Sequence, residues 1–236
     1  MLRVHERVLV VAAHPDDEVL GCGGVICRHI AKGDMVSILI LGEGITARDA
    51  LSDAEMRTEQ VRSLREAAIA AAKVMGASNL LFESLPDNRF DSLDLLDVIK
   101  LVERVKERAQ PDIVYTHHAG DLNIDHRVTH QAVVTAFRPL PGEKVKAVYA
   151  FEVSSSTEWQ TLDGAQPFVP DYYVEITGFL EKKLEALACY KRELHPFPHP
   201  RSLEAVEAST RAAGVQVGVA AAERFRTLRV IQRENR

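Results

Sequence analysis

Six apolar residues in a row, Val8-Leu-Val-Val-Ala-Ala13, open the hydrophobic pattern of this chain. The run is rich in β-branched residues and has no polar alternation, so it predicts a strand buried on both faces. Apolar residues at helical spacing follow over Val19–Ala31, and Met35–Leu41 is a second buried run. Ser52–Met75, rich in Ala, Arg and Glu and stopped by Gly76, predicts a long helix. The alternation continues with a short strand over Asn79–Phe82, a helix over Leu93–Ala109 ended by Pro111, and a strand over Asp112–Thr116. A helix over Ile124–Phe137 is closed by the Pro139-Leu-Pro-Gly142 cluster, and Val145–Val153 reads as a fifth strand. This order predicts an α/β fold: a Rossmann-like, mostly parallel sheet with helices on both faces.

The later third is less regular. Phe168–Ile176 reads as strand, Leu180–Glu193 as helix, and Ser202–Ala213 and Val219–Phe225 as short helices. Between them His195-Pro-Phe-Pro-His-Pro200 suits neither regular helix nor central strand. No repeat or linker interrupts the chain. The expectation is one domain over 1–236, with a core over 1–153 and an irregular part over 154–236 that completes the pocket.

Composition narrows the class. The chain has 236 residues, 46% hydrophobic, with 29 basic and 34 acidic residues and a formal net charge of −5. Mild acidity argues against a nucleic-acid partner, which needs a basic face. Cysteines number 3 (Cys22, Cys27 and Cys189) with no CxxC, which excludes a disulfide framework and fits a reducing cytoplasm. No run approaches the roughly 18 apolar residues of a membrane span, and the N-terminal run is too short for a signal segment. A soluble small-molecule substrate is the expected partner.

In open α/β sheets, ligands bind beyond the carboxyl ends of the strands where strand order reverses, commonly between the first and fourth strands. Two loops should meet there, 14–24 and 117–126, and they hold the densest His and Asp clusters in the chain. The first is His14-Pro-Asp-Asp-Glu18. Zinc takes imidazole nitrogen and carboxylate oxygen, with three protein ligands in a catalytic site. Of two adjacent carboxylates on a tight turn, one can bind metal while the other handles a proton. The bland reading is that Asp16 or Asp17 caps the following helix. Glu18 either orients a ligand or favours the helix dipole. Gly21, Gly23 and Gly24 lie within the first turns of the helix, where close helix–sheet packing explains them better than a phosphate loop. Cys22 and Cys27 read as small buried residues.

The second cluster runs from His117 to His130 and holds four of the nine histidines. His126 and His130 share a helix face. His126, at the loop end, is the better third ligand, and His130, one turn deeper, is a hydrogen-bonded core histidine. Asp125 either accepts a proton from an imidazole or serves as an N-terminal helix acid. Asp121 and Asn123 read as turn and cap residues. Residues alone also admit a metal-dependent phosphoesterase, or a non-enzymatic metal- or nucleotide-binding module lacking G-x-G-x-x-G after its first strand.

Ala13-His-Pro-Asp-Asp-Glu-Val-Leu-Gly-Cys-Gly-Gly24 together with Asn123-Ile-Asp-His-Arg127 resembles the PIG-L/LmbE-like family of zinc-dependent N-deacetylases, which act mainly on N-acetylglucosaminyl compounds. The resemblance implies a Zn2+ cofactor held by His14, Asp17 and His126, with Asp16 as general base and a sugar substrate. It also implies a homo-oligomer. Many members carry a histidine three residues before the last ligand that stabilises the oxyanion, and this chain has Asn123 there. Asn123 itself, His117, His118 or a late-chain histidine could take that role, and Asp125 is placed with the catalytic residues. Arg62 or Arg65 could hold sugar hydroxyls, or form a solvated helix face. Arg89, His117, His199 and Arg201 are expected to line the substrate pocket.

Overall fold

A computed structural model describes residues 5–47, 54–161 and 166–234. The start of the helix predicted from Ser52 lies outside the described residues. The strands are β1 (Arg7–Ala12), β2 (Met35–Gly42), β3 (Asn79–Leu85), β4 (Ile113–His117), β5 (Ala147–Phe151), β6 (Tyr172–Glu175) and β7 (Ala222–Val230). The helices are α1 (Asp17–Ala31), α2 (Ala54–Met75), α3 (Leu95–Ala109), α4 (Ile124–Ala136), α5 (Leu180–Leu187) and α6 (Leu203–Gln216). They form one 7-stranded sheet in the order β3-β2-β1-β4-β5-β7-β6. The first five strands in space are parallel, and β7 runs antiparallel to both β5 and β6.

The unbroken apolar run of β1 has a direct cause. Val8, Val10 and Ala12 face one core, with α1, α2 and α5, while Leu9, Val11 and Ala13 face the other, with α3 and α4. A strand covered on both sides has no polar face to show. The register Val8↔Ile113 places the ends of β1 and β4 side by side, which brings the two His/Asp loops together. Gly21 and Gly24 let α1 lie flat on its neighbours: a Cβ at Gly21 would sit 2.3 Å from the Phe151 ring, and one at Gly24 would sit 2.4 Å from Ile176.

Two expectations change. The segment 219–225, predicted as helix from its alanines, begins a strand instead, because Phe225 and its neighbours pair with β5 on one side and β6 on the other. Long-range pairing overrides local propensity there. The part after residue 153 is also not an irregular appendage, since β6 and β7 extend the same sheet. Among the described residues no helix is long and apolar enough to cross a membrane.

Helix α1 breaks at Cys22, whose φ is −150°. A buried ion pair mends the break. The Gly24 and Val25 N–H groups donate to the two Glu223 carboxylate oxygens at 2.9 and 2.7 Å. Lys183 Nζ donates to the Leu20 carbonyl at 2.9 Å and to Glu223 at 2.6 Å. Removing one partner of such a pair strands a buried charge. Lys183→Met is therefore expected to cost about 3–5 kcal/mol in urea unfolding. A cost below about 1 kcal/mol would mean the carboxylate is satisfied by the two backbone donors alone.

Candidate metal centre

Pro15 turns the chain sharply at the end of β1, and the turn is fixed by backbone geometry. Asp16 has φ 102°, a left-handed conformation that strains a non-glycine residue by about 1–3 kcal/mol. Such strain persists only where surrounding contacts over-determine it. Here the Asp16 N–H donates to Glu18 Oε2 at 3.0 Å, and Glu18 Oε1 accepts from the buried Tyr190 hydroxyl. Asp16 occupies the N-cap position of α1, but its side chain makes no capping bond. It points instead to Arg201, with Arg201 Nη1 3.0 Å from Asp16 Oδ2.

The donor atoms of His14, Asp17 and His126 lie within 4.8 Å of one another. Asp17 Oδ2 is the hub, 3.4 Å from His14 Nδ1 and 3.3 Å from His126 Nε2. Each imidazole turns its far nitrogen to a carboxylate. His14 Nε2 is 2.9 Å from Asp125 Oδ2 and 3.2 Å from Asp87 Oδ1. His126 Nδ1 is 3.1 Å from Asp121 Oδ1. This is the arrangement that fixes the tautomer and aim of metal-binding histidines. Asp17 Oδ1 and both ring nitrogens of His126 are buried without a hydrogen bond of good geometry, so Asp121 acts on His126 through its charge at close range. Unsatisfied donors of this chemistry, two imidazoles and a carboxylate, fit a divalent cation such as zinc.

The nearby group of His14, Asp87 and Asp125 also converges. Its carboxylates are already occupied: Asp125 accepts the Asn88 and Phe90 N–H groups at 2.6 and 2.9 Å, and Asp87 accepts the Ala47 N–H at 3.2 Å. It is the frame that aims His14. Gly42 belongs to the same frame, because a Cβ there would lie 2.9 Å from the Ala13 carbonyl and 3.2 Å from the His14 ring.

Electrostatics follow from burial beside many acids. Burial opposes charge on His14, but Asp125, Asp17 and Asp87 outweigh it and lift the imidazole to about 10. Burial likewise opposes charge on His126, and Asp17 with Asp121 raises it to about 9. For Asp17 the burial cost is outweighed by His126 and His117, which hold it well below the usual range. Burial pushes Asp16 up to about 8 against the pull of Arg201, with Asp17, Glu193 and Glu18 adding to the rise. That places a proton acceptor near working pH.

The other residues singled out by the sequence take supporting or peripheral positions: Asn123, Asp125 and His130 follow one of their sequence readings, and His117 does not. Asn123 is the N-cap of α4, and its side-chain oxygen accepts the Asp125 N–H at 2.8 Å. Asp125 is fully buried and acts on His14 rather than on any reacting group. His117 is fully buried too, its Nε2 accepting the Ala13 N–H at 2.8 Å and its ring stacked on His126 with centroids 4.0 Å apart. It supports the centre from beneath and does not line a pocket; burial, then His126, lowers its pKa well below the ordinary value. His118 is held by the Gln166 carbonyl at 2.8 Å, and His130 by the His117 carbonyl at 2.8 Å. Arg62 is tied to Glu59 and Glu66 on an exposed helix face, and Arg65 to Glu83 and Ser84. Arg89 is exposed at the rim, one residue from the two backbone groups that hold Asp125.

Of the two late-chain residues, Arg201 reaches Asp16. Arg201 bridges Asp16 and Glu193, at 3.0 and 3.7 Å, and donates from Nε to the Ser154 carbonyl at 3.3 Å. The His199 Nδ1 accepts the Arg201 N–H at 3.0 Å. Sequence reading missed Asp121 and Asp87 as the carboxylates behind the imidazoles, and Tyr190 as the brace of Glu18. Asp87 stood in the polar Pro86–Arg89 loop, but nothing local marked it over Arg89.

A family model described as GlcNAc-PI de-N-acetylase (PIG-L) matches residues 9–137, which include every residue of the three-ligand cluster. An uncharacterised deacetylase of Escherichia coli K12 is 31% identical over 139 residues, spanning 57% of this chain and 69% of that protein. The 4-oxalmesaconate hydratase of Pseudomonas putida KT2440 is 32% identical over 207 residues, 80% of this chain and 75% of its own. In fold, the N,N'-diacetylchitobiose deacetylase of Pyrococcus horikoshii superposes with a TM-score of 0.74 at 20% identity, covering 94% of this chain and 84% of that one. With the matched model spanning both His/Asp loops and more than half of its length, this chain belongs to the PIG-L family of deacetylases, hydrolases of amide C–N bonds.

Proposed function

We propose that this protein is a zinc-dependent N-deacetylase that releases acetate from an N-acetylglucosamine-type sugar or sugar conjugate. The observation that carries this reading is the convergence of His14, Asp17 and His126 donors within 4.8 Å, with the Asp16 carboxylate on the adjoining residue. When bound, the ion supplies Lewis-acid polarisation of the acetyl carbonyl and lowers the pKa of water towards about 7. The chain's own groups do the rest. Asp16, held by the Glu18 carboxylate and by Arg201, accepts the proton of the attacking water. The same carboxyl group returns that proton to the sugar nitrogen as the C–N bond breaks. Asp125 keeps the His14 imidazole from turning, and Asp121 favours charge on His126. Arg201 brings a permanent positive charge beside the place where the acetyl oxygen becomes negative. That is the role the sequence left open among Asn123, His117, His118 and a late-chain histidine. We assign Arg89 and His199 to contacts with the rest of the sugar.

Arg201→Gln tests the arginine. Losing a charged hydrogen bond of about 1.5–3 kcal/mol predicts a fall in kcat of roughly tenfold to a hundredfold. The positive charge also favours the ionised form of Asp16. Without it the acid limb of the kcat/KM profile moves to higher pH, an effect that simple loss of packing would not produce. An unmoved limb would remove Arg201 from this role.

The test of the function is an acetate-release screen of zinc-loaded protein over N-acetylglucosaminyl compounds; no acetate from any of them overturns it. The hydratase relative, 32% identical over 207 residues, favours a second reading in which Asp16 helps add water to a polarised carbon–carbon double bond. In that case an unsaturated oxo acid loses its ultraviolet absorbance and no acetate appears.

A further inference from the structure

We propose that Trp159, braced by His199, is a stacking platform for a second pyranose ring, so that the preferred substrate is an oligosaccharide or glycoconjugate with a sugar beyond the one that is deacetylated. The inference rests on the deacetylase reading above and names the substrate class more closely.

Trp159 is the only tryptophan of the chain and is 51% exposed. Half-exposure of one aromatic ring is ordinary by itself, and what sets Trp159 apart is how its loop is held. Its position is not loose. In the loop that follows β5, the Val153 N–H donates to Thr157 Oγ1 at 2.8 Å, and the Thr157 N–H donates to the Val153 carbonyl at 3.0 Å. The Thr157 hydroxyl donates to Asp121 Oδ2 at 2.5 Å, and the Ser156 hydroxyl donates to Asp121 Oδ1. Asp121 is the carboxylate behind His126. The loop carrying Trp159 is therefore fastened to the metal centre itself.

A second loop meets it from the other side. The His199 ring lies 5.7 Å from Trp159 at an interplanar angle of 84°, and the His195 ring lies 4.2 Å from His199. Two residues on, Arg201 reaches Asp16 and also grips the Ser154 carbonyl of the Trp159 loop. Contacts thus run without a gap from Asp16 through Arg201 and His199 to Trp159. His199 meets the indole at a steep angle, and half of the Trp159 surface remains open to a ligand.

A pyranose ring suits such a face. Its axial C–H groups form a flat apolar patch that meets the electron-rich indole, while its equatorial hydroxyls point outward to polar groups. Glu158, exposed beside Trp159, accepts the Ser155 and Ser156 N–H groups and keeps spare lone pairs for a hydroxyl donor. Carboxylates crowd the neighbourhood, from Asp16 and Glu193 to Glu158, so an anionic substituent would be repelled where a neutral sugar is not.

The single tryptophan makes the test direct. Titrate the zinc-loaded Asp16→Asn protein with N-acetylglucosamine and with its β-linked disaccharide while recording intrinsic fluorescence. The disaccharide is expected to shift or quench the emission, and the monosaccharide to leave it within error. In the otherwise native enzyme, Trp159→Ala should lower kcat/KM for the disaccharide roughly tenfold more than for the monosaccharide, and Trp159→Phe should restore most of the difference. Equal losses on both sugars, or disaccharide turnover with no emission change, overturns the platform. An emission that shifts on protein dilution and not on adding sugar also overturns it, and assigns the ring to contact with a second copy of the chain. Failure of the deacetylase reading looks different: no acetate from either sugar, with the emission titration still reporting on the platform.

Discussion

Asp16→Asn is expected to lower kcat by roughly two to four orders of magnitude while leaving one metal ion bound per chain, the range typical for removal of a general base. The substitution keeps the shape of the side chain and its hydrogen bond to Arg201, and it removes only the capacity to take a proton. The left-handed backbone at residue 16 is one that asparagine tolerates better than most residues, so the turn should survive. Burial and neighbouring acids already raise the Asp16 carboxyl to about 8, so losing its charge relieves the fold as much as it costs. Stability within about 1 kcal/mol of the native protein is the expected control, measured by urea unfolding. The two parts of the result separate two roles. Lost turnover with metal retained assigns proton transfer to Asp16; lost metal would make it a ligand; full turnover would move the base elsewhere, with Glu18 the first group to examine, since it is buried and raised to about 7.

Where sequence and structure agree, the reason is that the signal was local. The β1 run had to be apolar throughout because both of its faces are covered, and a covered strand has no other way to read. The adjacency of β1 and β4 is the one the commonest order of such helix–strand alternation implies, and it puts the His14 and His126 loops together. His14, the Asp16–Asp17 pair and His126 were legible for the same reason, each at a strand or helix end in a motif a few residues long, while the choice of Asp17 over Asp16 came from the family resemblance. What escaped was everything set by distant parts of the chain. Asp121 looked like a turn residue because its partners Ser156 and Thr157 lie some 35 residues away. Asp87 is brought to His14 only by the loop after β3, which no periodicity describes. Asn123 departs from the family pattern, yet its conformation is that of an ordinary helix cap, and a positive charge reaches Asp16 from Arg201, 185 residues away. The strand β7 was lost for the matching reason: its alanine-rich start favours helix, and only pairing with β5 and β6 makes it a strand.

Removing the metal should abolish turnover and destabilise the fold, and the pH dependence of the second effect identifies the ligands. A ligand bound at about 1,000 times its Kd contributes about 4 kcal/mol to stability. For a chain of this size that corresponds to a fall in Tm of roughly 8–16 °C on chelation. The sign with pH comes from the acids around each imidazole. Asp17, Asp87 and Asp125 face His14, and Asp17 and Asp121 face His126, which also stacks on the neutral His117. In the metal-free protein these carboxylates raise His14 to about 10 and His126 to about 9, above the ordinary imidazole value. A raised pKa stabilises the fold below the unfolded value and loses that contribution as pH rises through the folded one. The metal-free protein should therefore weaken between about pH 7 and pH 10, where the metal-loaded protein holds. At neutral pH the incoming ion must also displace the protons these imidazoles carry. Calorimetric titration of zinc in buffers of different ionisation enthalpy should then report release of up to two protons per ion, and Asp125→Asn, which withdraws a carboxylate from His14, should reduce that number. Binding with no proton release would mean that the two imidazoles are neutral in the metal-free protein, and a count that Asp125→Asn leaves unchanged would mean that Asp17 and Asp87 suffice to keep His14 charged.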